Sequence, residues 1–355
     1  MAVKIQVKRG AKAGLPTLAP GEWGLATDAN EVYIGGNGGN IQLPVLGNDG
    51  KIPSGQLPEM GAVRVCRLIV GTSASGWTAA DCDYLCDGTD DQVEINAAIQ
   101  ALPSTGGEIV LLDGTYNITA TIAMNKDNVK LSGNGAATVL KRMWNSSASI
   151  EGIITTTGQN CTIGYLNLAG NRSRARNDNL ILGSTNIAIG NICTGGQEGI
   201  HASGNCSVIG NLCSNNSWGI VAVANNNTIS GNNCCDSPSY AMSITGDSNA
   251  VIGNTCSDGR YGIEVTGTKN IIAGNVCNDN SSSGIRLSGA ENNTIVGNTC
   301  VCGTGKSSDY DSNQYTIYLT GSNNNYNLIA HNNIMGKNYT SSGGTGNTFD
   351  GNKYN

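Results

Sequence analysis

The sequence has very few of the side chains that fill a wide protein interior. Among 355 residues there is one phenylalanine, and all aromatic residues together make up 5%. Glycine, in contrast, occurs 50 times. Because interiors are packed at high density, such a chain cannot fill a broad core, but it can fill a narrow one with stacked small and β-branched residues. The composition therefore favours a slender fold.

Charge and long apolar runs are also scarce. Charged residues make up 13%, and the net charge is −6, which argues against nucleic acid as a partner. No stretch approaches the roughly 20 apolar residues that a membrane-spanning helix needs. The first residues, MAVKIQVKR, contain no apolar signal core. We therefore expect no membrane insertion and synthesis in the cytoplasm without a signal peptide.

Metal ligands are few or poorly spaced. There are two histidines, His201 and His331, and none of the 13 cysteines forms a Cys-x-x-Cys pair. Pairs such as Cys82 with Cys86, or Cys300 with Cys302, are the alternative that would favour a metal site. Six other cysteines recur in one register and are interpreted as reduced, buried, small apolar side chains. We expect no metal and no cofactor.

A short phrase is repeated six times between Asn186 and Cys300. It reads Asn-x-x-x-Gly-Asn-x-Cys, with a cysteine in place of the first asparagine in one copy. The intervals between its successive cysteines are 20, 21, 22, 21 and 23 residues. Self-similarity at such a period is typical of solenoids. The six cysteines are Cys193, Cys213, Cys234, Cys256, Cys277 and Cys300.

The repeat predicts a parallel β-helix with three short strands and about 21 residues per coil. Coils stacked at about 4.8 Å bring identical positions into columns along the axis. Two asparagine columns are expected to bond from coil to coil, because buried amides must be paired, and asparagine also accepts the left-handed backbone of tight turns. An inward column is expected at Ile200, Ile220, Met242, Ile263, Ile285 and Ile317.

A helix is predicted ahead of the repeats. Ile95, Ala98, Ile99 and Leu102 recur on one helical face. Asp91, with a glutamate three residues later, predicts a capping box, and the following proline ends the helix. The acidic residues from 81 to 91 are interpreted as turn and cap chemistry, with calcium binding as the alternative.

The remaining chain divides by composition. Residues 1–45 contain short β-like runs separated by turn residues and predict a small β-rich module. Residues 46–62 are rich in proline and glycine and predict a linker. Residues 63–355 are expected to form the β-helix domain.

Two stretches resemble known families. The segment GLPTLAPGEWGLATDANEVYIG is similar to the N-terminal attachment module of phage tail-fibre and tropism-determinant proteins. The segment DGTDDQVEINAAIQALPSTGGEIVLLDGTYNI is similar to the opening of pectate-lyase-like β-helix proteins, especially phage tail spikes. The resemblance implies an all-β, right-handed, single-stranded parallel β-helix capped by a short helix. It also implies a virion-tail location, docking on a tail or baseplate protein through residues 1–45, and a homotrimer.

Candidate functional residues flank the isoleucine column. The position after each isoleucine is expected to face outward by alternation. The position two before each isoleucine is expected to form an aromatic stripe beside it, and the side chains at both positions vary between copies. Aromatic rings stack on sugars and charged groups bind hydroxyls, so we predict binding of host cell-surface polysaccharide; the alternative is that the rings cover coil edges or a subunit interface. The predicted glycan-binding residues are His201, Trp218, Tyr240, Tyr261, Glu264, Arg286, Tyr315 and Tyr318.

Whether the chain is an enzyme stays open. A polysaccharide depolymerase, either a hydrolase or a lyase, is the alternative to a tail spike or tail fibre receptor-binding protein. Hydrolysis needs two carboxylates about 5–10 Å apart, and the candidates are Glu264, Asp309 and Asp311, with Arg286 to stabilise charge.

Two further features of the sequence are compatible with other functions. The arginines at 172, 174 and 176 suit either an anionic saccharide or a solvated loop tip. The copper-associated periplasmic β-helix repeat family shares this style of coil. The expected lack of a signal peptide and the few histidines and methionines weigh against that family.

Overall fold

The chain divides into two compact units, Met1–Arg64 and Val65–Asn355. The computed structural model describes residues 7–20, 22–29, 31–36, 38–43, 66–145, 151–171, 177–301, 315–336, 340–341 and 344–354. The predicted linker at 46–62 lies outside these ranges, so the domain boundaries stay a prediction. Within the described ranges, no helix has the length and apolar character needed to cross a bilayer.

The N-terminal unit contains a small β-sheet, as predicted. Its strands are Val7–Gly10, Trp23–Ala26, Glu31–Gly36 and Gly39–Leu43. The first pair is parallel and the other two pairs are antiparallel. Leu18, Ala26 and Tyr33 form the core of this unit. Gly35 is required because a Cβ there would lie 1.9 Å from the carbonyl oxygen of Ala19.

The second unit is the predicted parallel β-helix, built from three sheets. The first sheet comprises Arg67–Thr72, Tyr84–Cys86, Gly107–Leu111, Val129–Ser132, Thr162–Gly164, Ile187–Ile189, Ser207–Ile209, Thr228–Ser230, Ala250–Ile252, Ile271–Ala273, Thr294–Val296, Leu328–Ala330 and Thr348–Asp350. The second comprises Gly114–Ile118, Thr138–Arg142, Asn167–Ala169, Ile192–Thr194, Leu212–Ser214, Asn233–Cys235, Thr255–Ser257, Val276–Asn278, Thr299–Val301, Asn333–Met335 and Lys353–Tyr354. The third comprises Ile122–Met124, Glu151–Thr156, Asn177–Leu182, Glu198–Ala202, Trp218–Ala222, Tyr240–Ile244, Tyr261–Val265, Ser283–Ser288, Tyr315–Thr320 and Thr340–Ser341.

The predicted helix spans Gln92–Ala101 and packs on the first coils. Three of its own residues, Ile95, Ala98 and Ile99, are fully buried against these coils. The predicted capping box is wrong, because Asp91 makes no side-chain bond to the helix N-terminus. Its carboxylate instead accepts hydrogen bonds from the backbone N–H of Asn117 at 2.6 Å and of Gly88 at 2.8 Å. The buried acid therefore ties the residues before the helix to the neighbouring strand.

Two apolar columns fill the narrow interior, and both were predicted. The six repeat cysteines lie in register on the second sheet and are all fully buried as free thiols. The isoleucine column, with its single methionine, lies in register on the third sheet and is equally buried.

Two asparagine ladders run through the same interior, as predicted. In one, Asn232 donates from Nδ2 to Asn254 Oδ1 at 3.0 Å and to the carbonyl of Val208 at 2.8 Å. Its own Oδ1 accepts from both the backbone N–H and the Nδ2 of Asn211. The second ladder repeats this pattern, for example between Asn227 and Asn249. The amides of the first ladder are thereby paired without water. In the second ladder, the buried Nδ2 group of Asn270 has no partner among the described residues.

The corners are turned by residues next to the ladder and not by the ladder asparagines themselves. In one coil Asn205, Gly210 and Asn215 have φ values of 52°, 62° and 55°. Gly210 directly precedes the ladder residue Asn211. The left-handed turn and the buried amide are therefore neighbouring positions with separate tasks, which corrects the expectation that one asparagine performs both.

Asn232→Ala is predicted to lower the free energy of unfolding by about 3 kcal/mol, because it leaves buried amide and carbonyl groups without partners. Asn233→Ala is the matched control, since this adjacent asparagine is exposed. Denaturant unfolding followed by circular dichroism measures both. Equal effects of the two substitutions would contradict the ladder's contribution to stability.

Candidate functional site

Two adjacent columns of side chains lie on the outer face of the third sheet, and we call them the outer columns. Strand register stacks each member directly on the next coil. The first column is Glu198, Trp218, Tyr240, Tyr261, Ser283 and Tyr315. The second column is His201, Val221, Ser243, Glu264, Arg286 and Tyr318. All eight predicted glycan-binding residues therefore share one face, and their binding role stays a prediction.

Aromatic rings occupy consecutive positions of the first column from Trp218 to Tyr261. The ring centroids of Tyr240 and Tyr261 are 5.2 Å apart with planes 18° from parallel. Trp218 lies 6.5 Å from Tyr240 with a tilt of 43°. Tyr315 and Tyr318 stack across the two columns at 5.1 Å. Such pairs are held by offset stacking and present flat apolar surfaces.

A charged pair stands beside these rings. Arg286 Nη1 donates to Glu264 Oε1 at 2.5 Å, and Glu264 is only 8% exposed. The Arg286 guanidinium lies 4.9 Å from the ring centre of Tyr261, and that of Arg260 lies 5.0 Å from the same ring. Burial and the Glu264 carboxylate raise the pKa of Tyr240. Because Arg286 binds the Glu264 carboxylate, its negative charge is already balanced by a cation.

An acidic cluster at the other end of the face was missed by sequence reasoning. Asp178 lies beneath Glu198 and accepts a hydrogen bond from its backbone N–H at 3.0 Å. His201 Nδ1 lies 2.8 Å from Glu198 Oε2. Asp178 and Glu198 are 20 residues apart, about one coil, and this spacing is the signal that could have found the pair. It was not visible because the coil of Asp178 lacks the repeat phrase.

The cluster has perturbed acidities. Burial, reinforced by the charge of Glu198, raises the pKa of Asp178 to about 6. Burial lowers the pKa of His201, but the hydrogen bond to Glu198 and the charges of both acids outweigh it, so the pKa is raised. Arg142 is almost fully buried, and its Nη1 donates a hydrogen bond to the backbone carbonyl of Asp178 at 3.2 Å. Perturbed acids of this kind are typical of functional sites, although structural networks produce them too.

Several predicted residues lie outside the described ranges. These are Asp309 and Asp311, the arginines at 172, 174 and 176, and Cys302. The catalytic assignment of Glu264, Asp309, Asp311 and Arg286 therefore stays a prediction. Of its members, Glu264 and Arg286 are brought together, as an ion pair.

Within the described ranges, one group of three metal-ligating side chains lies close together, Cys86, Asp91 and Glu94. Burial raises the pKa of all three, most strongly that of the Cys86 thiol. Asp91 is already occupied by two backbone N–H groups. Calcium prefers six to eight oxygen ligands, which this group does not supply. It is better explained as packing of the helix on the first coils.

Two family models match the sequence. The model described as "Periplasmic copper-binding protein (NosD)" matches residues 132–301 and 202–355. The model described as "Major tropism determinant N-terminal domain" matches residues 5–38, in agreement with the resemblance carried by that segment. A search of curated proteins gave no significant match.

Solved structures share the fold. One is ORF18 of Geobacillus virus E2, 16% identical, with a TM-score of 0.62 over 98% of this chain and 72% of that one. A second is the Dettilon tailspike protein gp208, 20% identical, with a TM-score of 0.59 over 74% of this chain and 63% of that one. An alginate lyase from Paenibacillus is 15% identical, with a TM-score of 0.56 over 80% and 99%. The chain spans less than two thirds of the Dettilon protein. The β-helix of phage tail spikes, implied by the resemblance, is confirmed.

Asp178→Asn is predicted to flatten the dependence of stability on pH. Because the folded pKa lies above the unfolded value of 3.8, the folded state loses stability as pH rises from about 4 to about 7, by about 3 kcal/mol in total. The asparagine variant should lack this loss, whereas the exposed Asp350→Asn should keep it. Thermal unfolding at stepped pH measures the difference, and parallel curves for wild type and Asp178→Asn would refute the assignment.

Proposed function

The chain belongs to the family described as periplasmic copper-binding protein (NosD), and from its N-terminal domain and fold we propose that it is a receptor-binding protein of a phage tail. The observation that carries the proposal is the order of parts. A segment matching the tropism-determinant N-terminal domain, at residues 5–38, precedes a β-helix with an aromatic and charged outer face. The N-terminal unit would attach to the virion and the β-helix would contact the host.

The ligand we propose is a glycan of the host cell surface. Trp218 and Tyr240 are partly exposed and adjacent, so their faces can stack on successive sugar rings. His201 and Arg286 lie in the neighbouring column and can bind hydroxyl groups. A row of aromatic residues along a rigid sheet suits an extended polymer better than a small molecule.

The copper binding named in the family description does not fit these residues. Copper(I) prefers thiolate ligands, yet the six column cysteines are fully buried, and burial raises the pKa of Cys234 well above its usual range. His201 is bound to Glu198. The expectation that the chain lies outside this family is wrong, because the family model matches the residues that carry the Gly-Asn-x-Cys phrase. In this chain that phrase builds the scaffold.

Attachment and assembly are part of the same proposal. Residues 1–45 would dock on a tail or baseplate protein, and the fold shared with tail spikes supports a homotrimer. Sedimentation should then give the mass of three chains. A chain lacking residues 1–45 should bind glycan normally but no longer co-purify with tail particles, and retention on particles would refute the docking assignment.

Trp218→Ala combined with Tyr240→Ala is predicted to reduce binding to extracted host polysaccharide by about 100-fold, since stacked rings supply on the order of 1–2 kcal/mol each. Tyr326→Ala is the matched control, because this ring is 63% exposed and lies away from the outer columns. Binding is measured by biolayer interferometry, with circular dichroism to verify folding. Unchanged binding by the double variant would contradict the receptor surface.

The second candidate function, a polysaccharide depolymerase, is favoured by one observation. Asp178 and Glu198 are carboxylates on neighbouring coils, and Asp178, with a pKa of about 6, can hold a proton near neutrality. A protonated acid beside an ionised one is the pairing that glycoside hydrolysis requires. Glu264 is less suited, because Arg286 already binds it.

If the protein cleaves its glycan, Glu198→Gln is predicted to abolish the release of new reducing ends while binding persists, because the amide cannot exchange a proton. Glu264→Gln should then retain a measurable rate. Reducing-end release with product mass spectrometry measures both variants. Release that depends on Glu264 and not on Glu198 would place the chemistry at the ion pair.

A further inference from the structure

Ser283 interrupts the aromatic column in an unusual way. Strand register places it between Tyr261 and Tyr315, where neighbouring coils carry rings. It is fully buried, and its Oγ has no hydrogen-bond partner among the residues that the structure describes. A buried hydroxyl without a partner costs free energy unless a ligand supplies one. Tyr261 and Tyr315 belong to coils two steps apart, about 9.6 Å at the usual strand spacing, and we call the position of Ser283 between these two rings the notch.

Arg286 lies beside this notch, and one of its N–H groups is available to a ligand. Its Nη1 is bound to Glu264, but its Nε is buried and has no partner among the described residues. A guanidinium presents its N–H groups in a fixed fork that suits carboxylate and phosphate oxygens. Two hydrogen-bond donors that bind no described residue therefore border the notch, Ser283 Oγ–H and Arg286 Nε–H.

The surrounding charges favour an acidic group over a neutral one. Glu264 balances Arg286. Arg260, whose guanidinium lies 5.0 Å from the Tyr261 ring centre, is exposed and forms no ion pair within the described part of the chain. Among the described residues, the exposed Asp258 and Asp279 likewise form no ion pair with either arginine. One cation therefore remains uncompensated beside the two donors.

We propose that Ser283, Arg286 and Arg260 form a subsite for an acidic group of the bound glycan, either a carboxylate or a phosphate. This inference rests on the proposed glycan-binding function and specifies its ligand class. The acidic oxygen would accept from Ser283 and Arg286, while the rings of Tyr261 and Tyr315 would flank the sugar that carries it.

The test compares three polymers on the full chain: polygalacturonate, poly(glycerol phosphate) and neutral dextran. We expect at least one acidic polymer to bind more tightly than dextran, and the preferred one identifies carboxylate or phosphate. Ser283→Ala and Arg286→Lys should each weaken that binding about ten-fold. Ser230→Ala and Arg67→Lys on the first sheet are the matched controls and should bind as wild type.

Stability separates this role from a structural one. Ser283→Ala removes a hydroxyl that bonds to no residue in the described ranges, so its thermal midpoint should not fall. Equal binding of dextran and the acidic polymers, or acidic binding unaffected by both variants, would overturn the subsite while leaving the receptor proposal intact. Failure of every polymer and of extracted host polysaccharide to bind would overturn both.

Discussion

The amide hydrogen bond between asparagines of successive coils is the interaction on which this β-helix depends. The interior is narrow, and nearly all buried polar groups of the two ladders find their partners along the axis. Asn211, Asn232 and Asn254 do this by presenting a carbonyl oxygen to one coil and an NH2 group to the other. A satisfied ladder makes a polar residue acceptable in a dry core, whereas one missing member leaves two neighbours unpaired. The period of the sequence is a consequence of this constraint.

The same constraint separates scaffold from function. Positions that face inward are restricted to small or aliphatic side chains and to the paired ladder asparagines, so they cannot be adapted to a ligand. Outward positions contact solvent and their neighbours along and across the columns. This is why one column can carry Glu198, Trp218 and Tyr240 in succession without disturbing the coils. A long, rigid and variable surface results, which is well suited to an extended ligand.

Sequence reasoning succeeded where a feature repeats and failed where it occurs once. The cysteine, isoleucine and asparagine columns and the register of the outer face followed from spacing alone. The capping box failed because the neighbouring strand competed for Asp91, and a non-local backbone donor such as Asn117 N–H leaves no local trace. Asp178 was missed for a related reason, since its alignment under Glu198 depends on the coil length ahead of the repeats. The unpartnered donors at Ser283 and Arg286 are properties of packing and have no sequence signature.

The outer columns are electrically polarised along the axis. Glu198 lies near one end, with Asp178 one coil beyond it. Arg260 and Arg286 lie three and four coils from Glu198, which is about 14–19 Å at the usual strand spacing. Aromatic rings occupy the interval between them. A polymer with acidic groups would be repelled at the first end and held at the second, so its orientation along the β-helix would be set by charge, whereas ring stacking alone is indifferent to direction. Orientation matters most if the acidic cluster performs chemistry, because a fixed register would then place the same linkage beside Glu198 at each encounter.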